Sequence, residues 1–199
     1  MDPREAFRTE LIEATLEATR SAASRFAEER IYSFALYTSG EYNYVFASIS
    51  TMAGLKDVAG RYLARAGFRR KWGDLGVAMR HLKWSPCDSP HHEALLEGFA
   101  AAQDRLDTLW NACEDDVDDE DYDDEAADDD YSQLCTFALR SFAEALLHVR
   151  RAGIFDDTVT LNILMGDQSD DERLEFAAAL NDAPVVERLR VDLMERLEA

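Results

Sequence analysis

Two runs of aromatic and β-branched residues, separated by a turn that contains Gly40, constrain the fold of this chain most strongly. They cover residues 31–38 (IYSFALYT) and 42–50 (YNYVFASIS), and such runs are typical of strands that are joined in a β-hairpin. A later segment, residues 158–165 (TVTLNILM), places apolar side chains at every second position. This period of two is the pattern of a further strand. The sequence therefore predicts a hairpin over residues 31–50 and a strand over residues 158–165.

Apolar residues spaced three and four apart predict helices around these strands. The first helix follows the N-cap residue Asp2 and extends to about Arg30, and two long helices cover residues 95–113 and 134–153. The two long helices are predicted to form a helical hairpin. Residues 68–90 lack a long period, so an irregular segment with a short strand at residues 80–84 is expected there.

The order of these elements predicts an α+β fold in a single domain, residues 1–199. We expect a small, mainly antiparallel sheet that is covered by several helices, the long helical hairpin among them. If the tyrosines of the hairpin, Tyr32, Tyr42 and Tyr44, form an exposed row, they indicate an interface.

The acidic residues are concentrated in one segment of the chain. The 199 residues include 41 Asp and Glu against 21 Lys and Arg, which gives a formal charge of −20. Residues 114–130 contain 13 acidic side chains and no basic one, and the remainder is only moderately acidic, with 28 acids against 21 bases. A run of like charges repels itself, so this segment is predicted to be a disordered insert between the two long helices.

The same composition excludes several functional classes. Nucleic acid is a poor partner for an acidic surface, because phosphate contacts require Lys and Arg. No apolar run approaches the roughly 18 residues of a membrane span, and the first residues show no secretory pattern. We therefore expect a cytoplasmic protein. Its three cysteines argue against a disulfide framework.

Two segments resemble metal sites only in part. Asp119, Asp121 and Asp123 have the spacing of calcium ligands, but Asp124 occupies the position where an EF-hand loop requires glycine. Residues 87–92 (CDSPHH) offer a thiol and two imidazoles, yet they lack the second ligand pair that is typical of structural zinc. No bound metal or cofactor is predicted.

Catalytic motifs are equally sparse. The patterns of nucleophile elbows, phosphate-binding loops and metalloprotease helices do not occur. Asp167 and Asp170 lie in an acid-rich turn between the last strand and a helix, for which Ser169 and Glu172 supply the capping-box pattern. An uncharacterised metal-dependent enzyme or regulator that uses Asp167 and Asp170, or residues 87–92, remains an alternative to a non-enzymatic protein.

Four short motifs, in order along the chain, carry a family resemblance. They are FALYT (residues 34–38), RHLKWSP (80–86), GIF (153–155) and GDQ (166–168). In this order the chain resembles an uncharacterised bacterial family, domain of unknown function 4303. The resemblance implies no enzyme activity, and some relatives resemble, by gene setting, the immunity proteins that protect bacteria against their own toxins.

These observations favour a binding protein, and specifically an immunity protein that neutralises a basic toxin by occlusion. Acidic immunity proteins associate rapidly with basic partners through electrostatic steering. A scaffold protein whose acidic segment only maintains solubility is a further alternative. The residues predicted to contact the partner are Asp115, Asp116, Asp118, Asp119, Asp121, Asp123, Asp124, Trp72, Arg80 and Trp84.

Overall fold

A computed structural model of the chain describes residues 2–115 and 124–198. Within these residues the chain forms an α+β fold, as predicted, with three strands and eight α-helices. The strands are β1 (Ile31–Thr38), β2 (Phe46–Thr51) and β3 (Thr160–Met165). The helices are α1 (Pro3–Arg25), α2 (Met52–Leu63), α3 (Ala66–Trp72), α4 (Leu75–Leu82), α5 (Ala100–Asp115), α6 (Asp124–Ala152), α7 (Asp170–Leu180) and α8 (Ala183–Glu198).

The three strands form one mixed sheet in the order β2-β1-β3. β1 pairs antiparallel with β2, so that Phe34 lies opposite Ile49, and it pairs parallel with β3, so that Phe34 also lies opposite Leu161. The sheet is small, as predicted, but it is mixed rather than mainly antiparallel, because only the β1–β2 pair is antiparallel. The chain reaches β3 through α2–α6, and a long helical crossover of this kind permits parallel pairing.

The second strand of the hairpin begins at Phe46, later than the sequence predicts. Tyr42 adopts a left-handed backbone conformation, with φ of 59°, which interrupts an extended strand. The backbone N–H of Val45 donates to Oε1 of Gln103 at 3.0 Å, and Nε2 of Gln103 donates to the carbonyl of Asn43 at 3.1 Å. A side chain of α5 thus takes the place of strand hydrogen bonds in this loop.

The largest apolar core lies between the sheet and the long helices. α1 begins at the predicted cap, where the Asp2 side chain accepts a hydrogen bond from the N–H of Arg4, and it packs against both α5 and α6. Phe7 and Phe142 are fully buried in this core. α5 ends at Asp115 and α6 begins at Asp124, so both ends of the predicted insert, residues 114–130, are helical, while residues 116–123 lie outside the described residues.

Residues 66–82 form two short helices, so the expected irregular structure is wrong up to Leu82, and the expected strand at residues 80–84 is not formed. Gly73, with φ of 75°, follows α3, and the Asp74 side chain then caps α4 by accepting from the N–H of Val77 at 3.0 Å. Together with α2, these helices bury a separate apolar cluster. Its buried members are Leu55, Val58, Ala59, Trp72, Ala78 and Leu82.

All six residues of β3 are buried, although the alternating sequence predicts one buried face. The strand contacts α6, α7 and α8, so helices shield both its apolar and its polar side chains. α7 begins with the predicted capping box, in which the Ser169 hydroxyl accepts from the N–H of Glu172 and the Glu172 carboxylate accepts from the N–H of Ser169. This cap determines where the chain turns away after β3.

Candidate functional site

The carboxyl ends of β1 and β3 lie side by side, because Thr38 is opposite Met165 in their parallel register. From this edge the chain enters two different turns, residues 39–45 after β1 and residues 166–169 after β3. In sheets with parallel strands, ligands bind preferentially beyond the carboxyl ends, where the following loops diverge and leave a crevice.

A cavity of about 410 Å³ opens at this edge. Its walls combine aromatic with acidic side chains, and we call it the tyrosine–carboxylate pocket. The lining residues that bear on its chemistry are Tyr37, Tyr42, Tyr44, Gly166, Asp167 and Glu172. The first three come from β1 and the turn after it, and the last three come from the turn after β3 and the first turn of α7.

Tyr37 and Tyr44 form an aromatic wall of the pocket, and the ring of Phe46 packs against both of them. The ring centroids of Tyr37 and Tyr44 are 6.1 Å apart, and Tyr44 stacks on Phe46 at 6.0 Å. The Tyr37 hydroxyl lies 3.3 Å from Sγ of Cys87. A Cβ atom at Gly166 would lie 3.3 Å from the same hydroxyl. Burial raises the pKa of Tyr37 and of Tyr44, so both phenols are neutral at physiological pH.

Tyr42 reaches the pocket from a backbone conformation that is costly for a residue other than glycine. Its ring lies 6.4 Å from the ring of Phe142, which is fully buried in α6. Packing against the core thus holds the tyrosine in place. Burial raises the pKa of Tyr42, and the nearby Glu172 carboxylate contributes to the same effect.

The acidic side of the pocket is formed by Glu172 and Asp167. The hydroxyl and the backbone N–H of Ser169 both donate to Oε2 of Glu172, at 2.7 and 2.9 Å. These hydrogen bonds lower the pKa of Glu172. The Asp167 side chain is exposed and makes no hydrogen bond within the described residues. A cation in the pocket would contact both carboxylates and aromatic rings. This combination is suited to binding an ammonium or guanidinium group.

Asp170, the second acid of the predicted strand-to-helix site, has a different role. Its carboxylate pairs with Arg173 at 3.2 Å and with Arg196 at 2.5 Å. Arg173 is only 5% exposed, and burial lowers its pKa. Asp170 therefore neutralises a buried cation and connects α7 to α8. Of the two predicted acids, only Asp167 lines the pocket.

Residues 87–92, the other metal candidate, direct their side chains to separate partners. Nδ1 of His92 lies 2.9 Å from Oγ of Ser48, and Nε2 of His91 lies 2.7 Å from Oε2 of Glu29. Burial lowers the pKa of His92, so this ring is neutral at pH 7. In the part of the chain that the structure describes, no three His, Cys, Asp or Glu residues are arranged to hold a metal ion.

The residues predicted to contact a partner lie in different environments. Trp72 and Trp84 are 8% and 6% exposed and belong to separate apolar clusters, whereas Arg80 is exposed on α4. Asp115 is the last residue of α5, and Asp124 is the first residue of α6. The remaining predicted aspartates lie outside the described residues: Asp116, Asp118, Asp119, Asp121 and Asp123. Their part in binding stays a prediction.

The tyrosine–carboxylate pocket is not apparent from the sequence. The sequence predicts that Tyr42 and Tyr44 belong to a strand and that Glu172 caps a helix. Both tyrosines are half-buried and line the pocket, whereas Tyr32 lies at the other end of β1. The available signal was the pair of polar turns after two strands, but it indicates a site only once those strands are known to be parallel neighbours.

Comparison with known proteins identifies the family of the chain. Within the described residues, no helix is both long and apolar enough to cross a lipid bilayer. No curated protein and no solved structure gives a significant match. A family described as "Domain of unknown function (DUF4303)" matches residues 11–182, a range that contains the whole sheet, α7 and the tyrosine–carboxylate pocket. The chain therefore belongs to the DUF4303 family.

Proposed function

We propose that this protein is a non-enzymatic binding protein for a basic protein partner, and that the tyrosine–carboxylate pocket receives a Lys or Arg side chain of that partner. One observation carries the proposal: neutral tyrosines and the side chains of Asp167 and Glu172 line the same cavity. Aromatic rings attract cations through their quadrupole, and the carboxylates supply the opposite charge.

A Lys or Arg side chain in the pocket would contribute a small part of the total binding free energy, enough to affect specificity. A cation over an aromatic face contributes about 0.5–2 kcal/mol, and an exposed ion pair contributes about 0–1 kcal/mol. Together these amount to about 0.5–3 kcal/mol, or roughly a two- to 150-fold change in affinity. The remaining binding free energy of a tight complex would come from contacts with the surrounding surface.

The charge of the chain supports a basic partner. Its formal charge is −20, and residues 114–130 contribute 13 of the 41 acids. Such a field attracts cationic proteins over long range and accelerates their encounter, and it disfavours nucleic acid. Within this class we favour an immunity protein that covers the active surface of a basic bacterial toxin, because an acidic surface is complementary to a basic one.

The pocket can be tested with a hexalysine peptide in isothermal titration calorimetry. Asp167→Asn should weaken binding about two- to fivefold, because it removes an exposed carboxylate at the cavity. Asp171→Asn is the matched control: Asp171 is exposed in the first turn of α7, does not line the pocket, and its substitution changes the net charge equally.

Tyr44→Leu provides an independent variant, since it removes the aromatic ring while the net charge is unchanged and an apolar side chain remains. We expect weaker hexalysine binding for this variant and binding within twofold of the wild type for Asp171→Asn. Equal weakening by the two aspartate variants would show that only net charge matters. Unchanged binding by both pocket variants would refute the site.

A further inference from the structure

A second charged surface lies on and between α2, α3 and α4, and its sign is opposite to that of the chain. Residues 52–83 contain eight Lys and Arg side chains but only two Asp side chains, whereas the rest of the chain has 13 basic and 39 acidic ones. Seven of the eight are exposed, and we call the six that follow Gly60 in the sequence the basic face. They are Arg61, Arg65, Arg69, Arg70, Lys71 and Arg80.

The basic face is unpaired despite the acidic composition of the chain. Among the described residues, none of its six side chains forms an ion pair with a carboxylate. By contrast, the exposed Arg20, Arg105 and Arg190 each pair with a Glu. The positive charges of the basic face are therefore available to an incoming anionic group.

An aromatic layer lies beside the basic face and contacts two of its side chains, Arg65 and Lys71. The rings of Tyr62, Phe68 and Trp72 pack together, with centroids 4.8–5.5 Å apart. The Arg65 guanidinium lies 5.5 Å from the Tyr62 ring, and the Lys71 ammonium lies 6.0 Å from the Trp72 ring. Side chains that are held in this way lose less conformational entropy when a partner binds.

His81 is consistent with a positive local field. Its ring stacks on Trp72 at a centroid distance of 5.5 Å. Burial lowers the pKa of His81, and the positive charges of Lys71, Arg196 and Arg80 lower it further. The imidazole is therefore neutral at pH 7, and the local field opposes its protonation even though the whole chain is strongly acidic.

The basic face and the tyrosine–carboxylate pocket lie at opposite ends of the sheet. α2 follows Thr51 directly, and Thr51 is paired with Ile31, the first residue of β1. The pocket lies beyond Thr38, the last residue of the same strand. A partner on the basic face would therefore bind independently of one in the pocket.

We infer that the basic face is a docking surface for an acidic segment of a protein, an interaction beyond the proposed function. The helices α3 and α4, which carry four of its six side chains, have seven and eight residues and are therefore only about 10 and 12 Å long. Duplex DNA carries a charge about every 1.7 Å along its axis, so a nucleic acid would extend past this small face onto the acidic remainder. A compact cluster of Asp and Glu side chains can stay within it, and arginine forks bind carboxylates in bidentate geometry.

The test uses a fluorescein-labelled decaglutamate peptide in fluorescence anisotropy titrations at about 100 mM NaCl, where the Debye length is about 10 Å. The binding variant is Arg61→Gln with Arg70→Gln, because neither side chain makes a hydrogen bond or ion pair with the described residues. The control is Arg20→Gln with Arg190→Gln, which changes the net charge equally on α1 and α8. Thermal unfolding followed by circular dichroism checks that each protein is folded.

We expect the Arg61/Arg70 variant to bind decaglutamate at least tenfold more weakly than the wild type, and the control to bind within twofold of it. Equal weakening by both variants would overturn the inference, because net charge alone would then explain the binding. Absence of peptide binding by the wild type would overturn it as well. Tighter binding of a twelve-nucleotide oligothymidylate than of the peptide would assign the face to nucleic acid instead.

Discussion

Substitutions of Asp167 and Asp170, which lie three residues apart, should affect ligand binding and fold stability separately. Asp170 pairs with Arg173 and Arg196, whereas Asp167 makes no hydrogen bond within the described residues and lines the pocket. We therefore predict that Asp170→Asn destabilises the fold while the pocket retains its affinity for cations, and that Asp167→Asn has the opposite pair of effects.

The size of the Asp170→Asn effect follows from burial. Breaking a buried ion pair costs about 3–5 kcal/mol and losing an exposed one about 0–1 kcal/mol. The Asp170 side chain is 28% exposed and that of Arg173 is 7% exposed, and asparagine keeps one accepting oxygen. An intermediate loss of about 2 kcal/mol is expected. With an unfolding entropy of about 0.4 kcal/mol/K for a chain of this length, the melting temperature falls by about 5 °C.

Differential scanning calorimetry and hexalysine titration of both variants check this prediction. Asp167→Asn should change the free energy of unfolding by less than about 0.5 kcal/mol, as is usual for an exposed side chain without partners. The reasoning fails if the two substitutions lower the melting temperature equally. It also fails if Asp170→Asn weakens hexalysine binding as much as Asp167→Asn does at a temperature where both variants are folded.

Three further predictions concern pH, packing and charge. Glu29→Gln should lower the free energy of unfolding by about 1 kcal/mol at pH 7. The hydrogen bond with His91 lowers the pKa of Glu29 below 4.5, so the stabilising contribution of this carboxylate is lost as the pH falls through the lowered pKa. Urea denaturation at pH values from 7 to 3 should therefore show the free energies of unfolding of the wild type and the variant converging. Phe142→Ala should lower the free energy of unfolding, measured by urea denaturation, by about 3–5 kcal/mol. It should also weaken hexalysine binding at temperatures where the variant is folded, since the Tyr42 ring packs against Phe142. Neutralising the six acids of residues 116–123 should reduce the association rate of a basic partner several-fold at low salt and flatten the salt dependence of that rate, with little change in the dissociation rate. Stopped-flow or surface plasmon resonance measurements check this prediction, and an unchanged association rate would contradict a steering role.

Local signals in the sequence predict much of the fold. The Asp2 cap, the apolar run of β1 and the capping box at Ser169 each depend on neighbouring residues, and all three occur as predicted. The helices α3 and α4 are too short to show a clear period, so the sequence pattern does not predict them. Their boundary signals, Gly73 and Asp74, are nevertheless present in the sequence.

The pocket could not be predicted from local pattern, because it depends on a contact between distant parts of the chain. Tyr37 and Asp167 line one cavity only because β3 pairs with β1 in parallel after a helical crossover of more than a hundred residues. The pattern of β3 alone indicates neither its neighbour nor its direction. Similarly, Trp84 resembles a recognition residue in sequence but lies in an apolar cluster with Leu189 and Leu193.

Affinity capture from the native host tests the central claim most directly. Tagged wild-type protein, the Tyr44→Leu/Asp167→Asn double variant and the Asp171→Asn control are used as baits, and the captured proteins are identified by mass spectrometry. We predict that the wild type and the control capture the same basic protein and that the double variant loses it. Retention of that partner by the double variant, or capture of acidic proteins only by the wild type, would contradict a pocket that binds a cationic side chain.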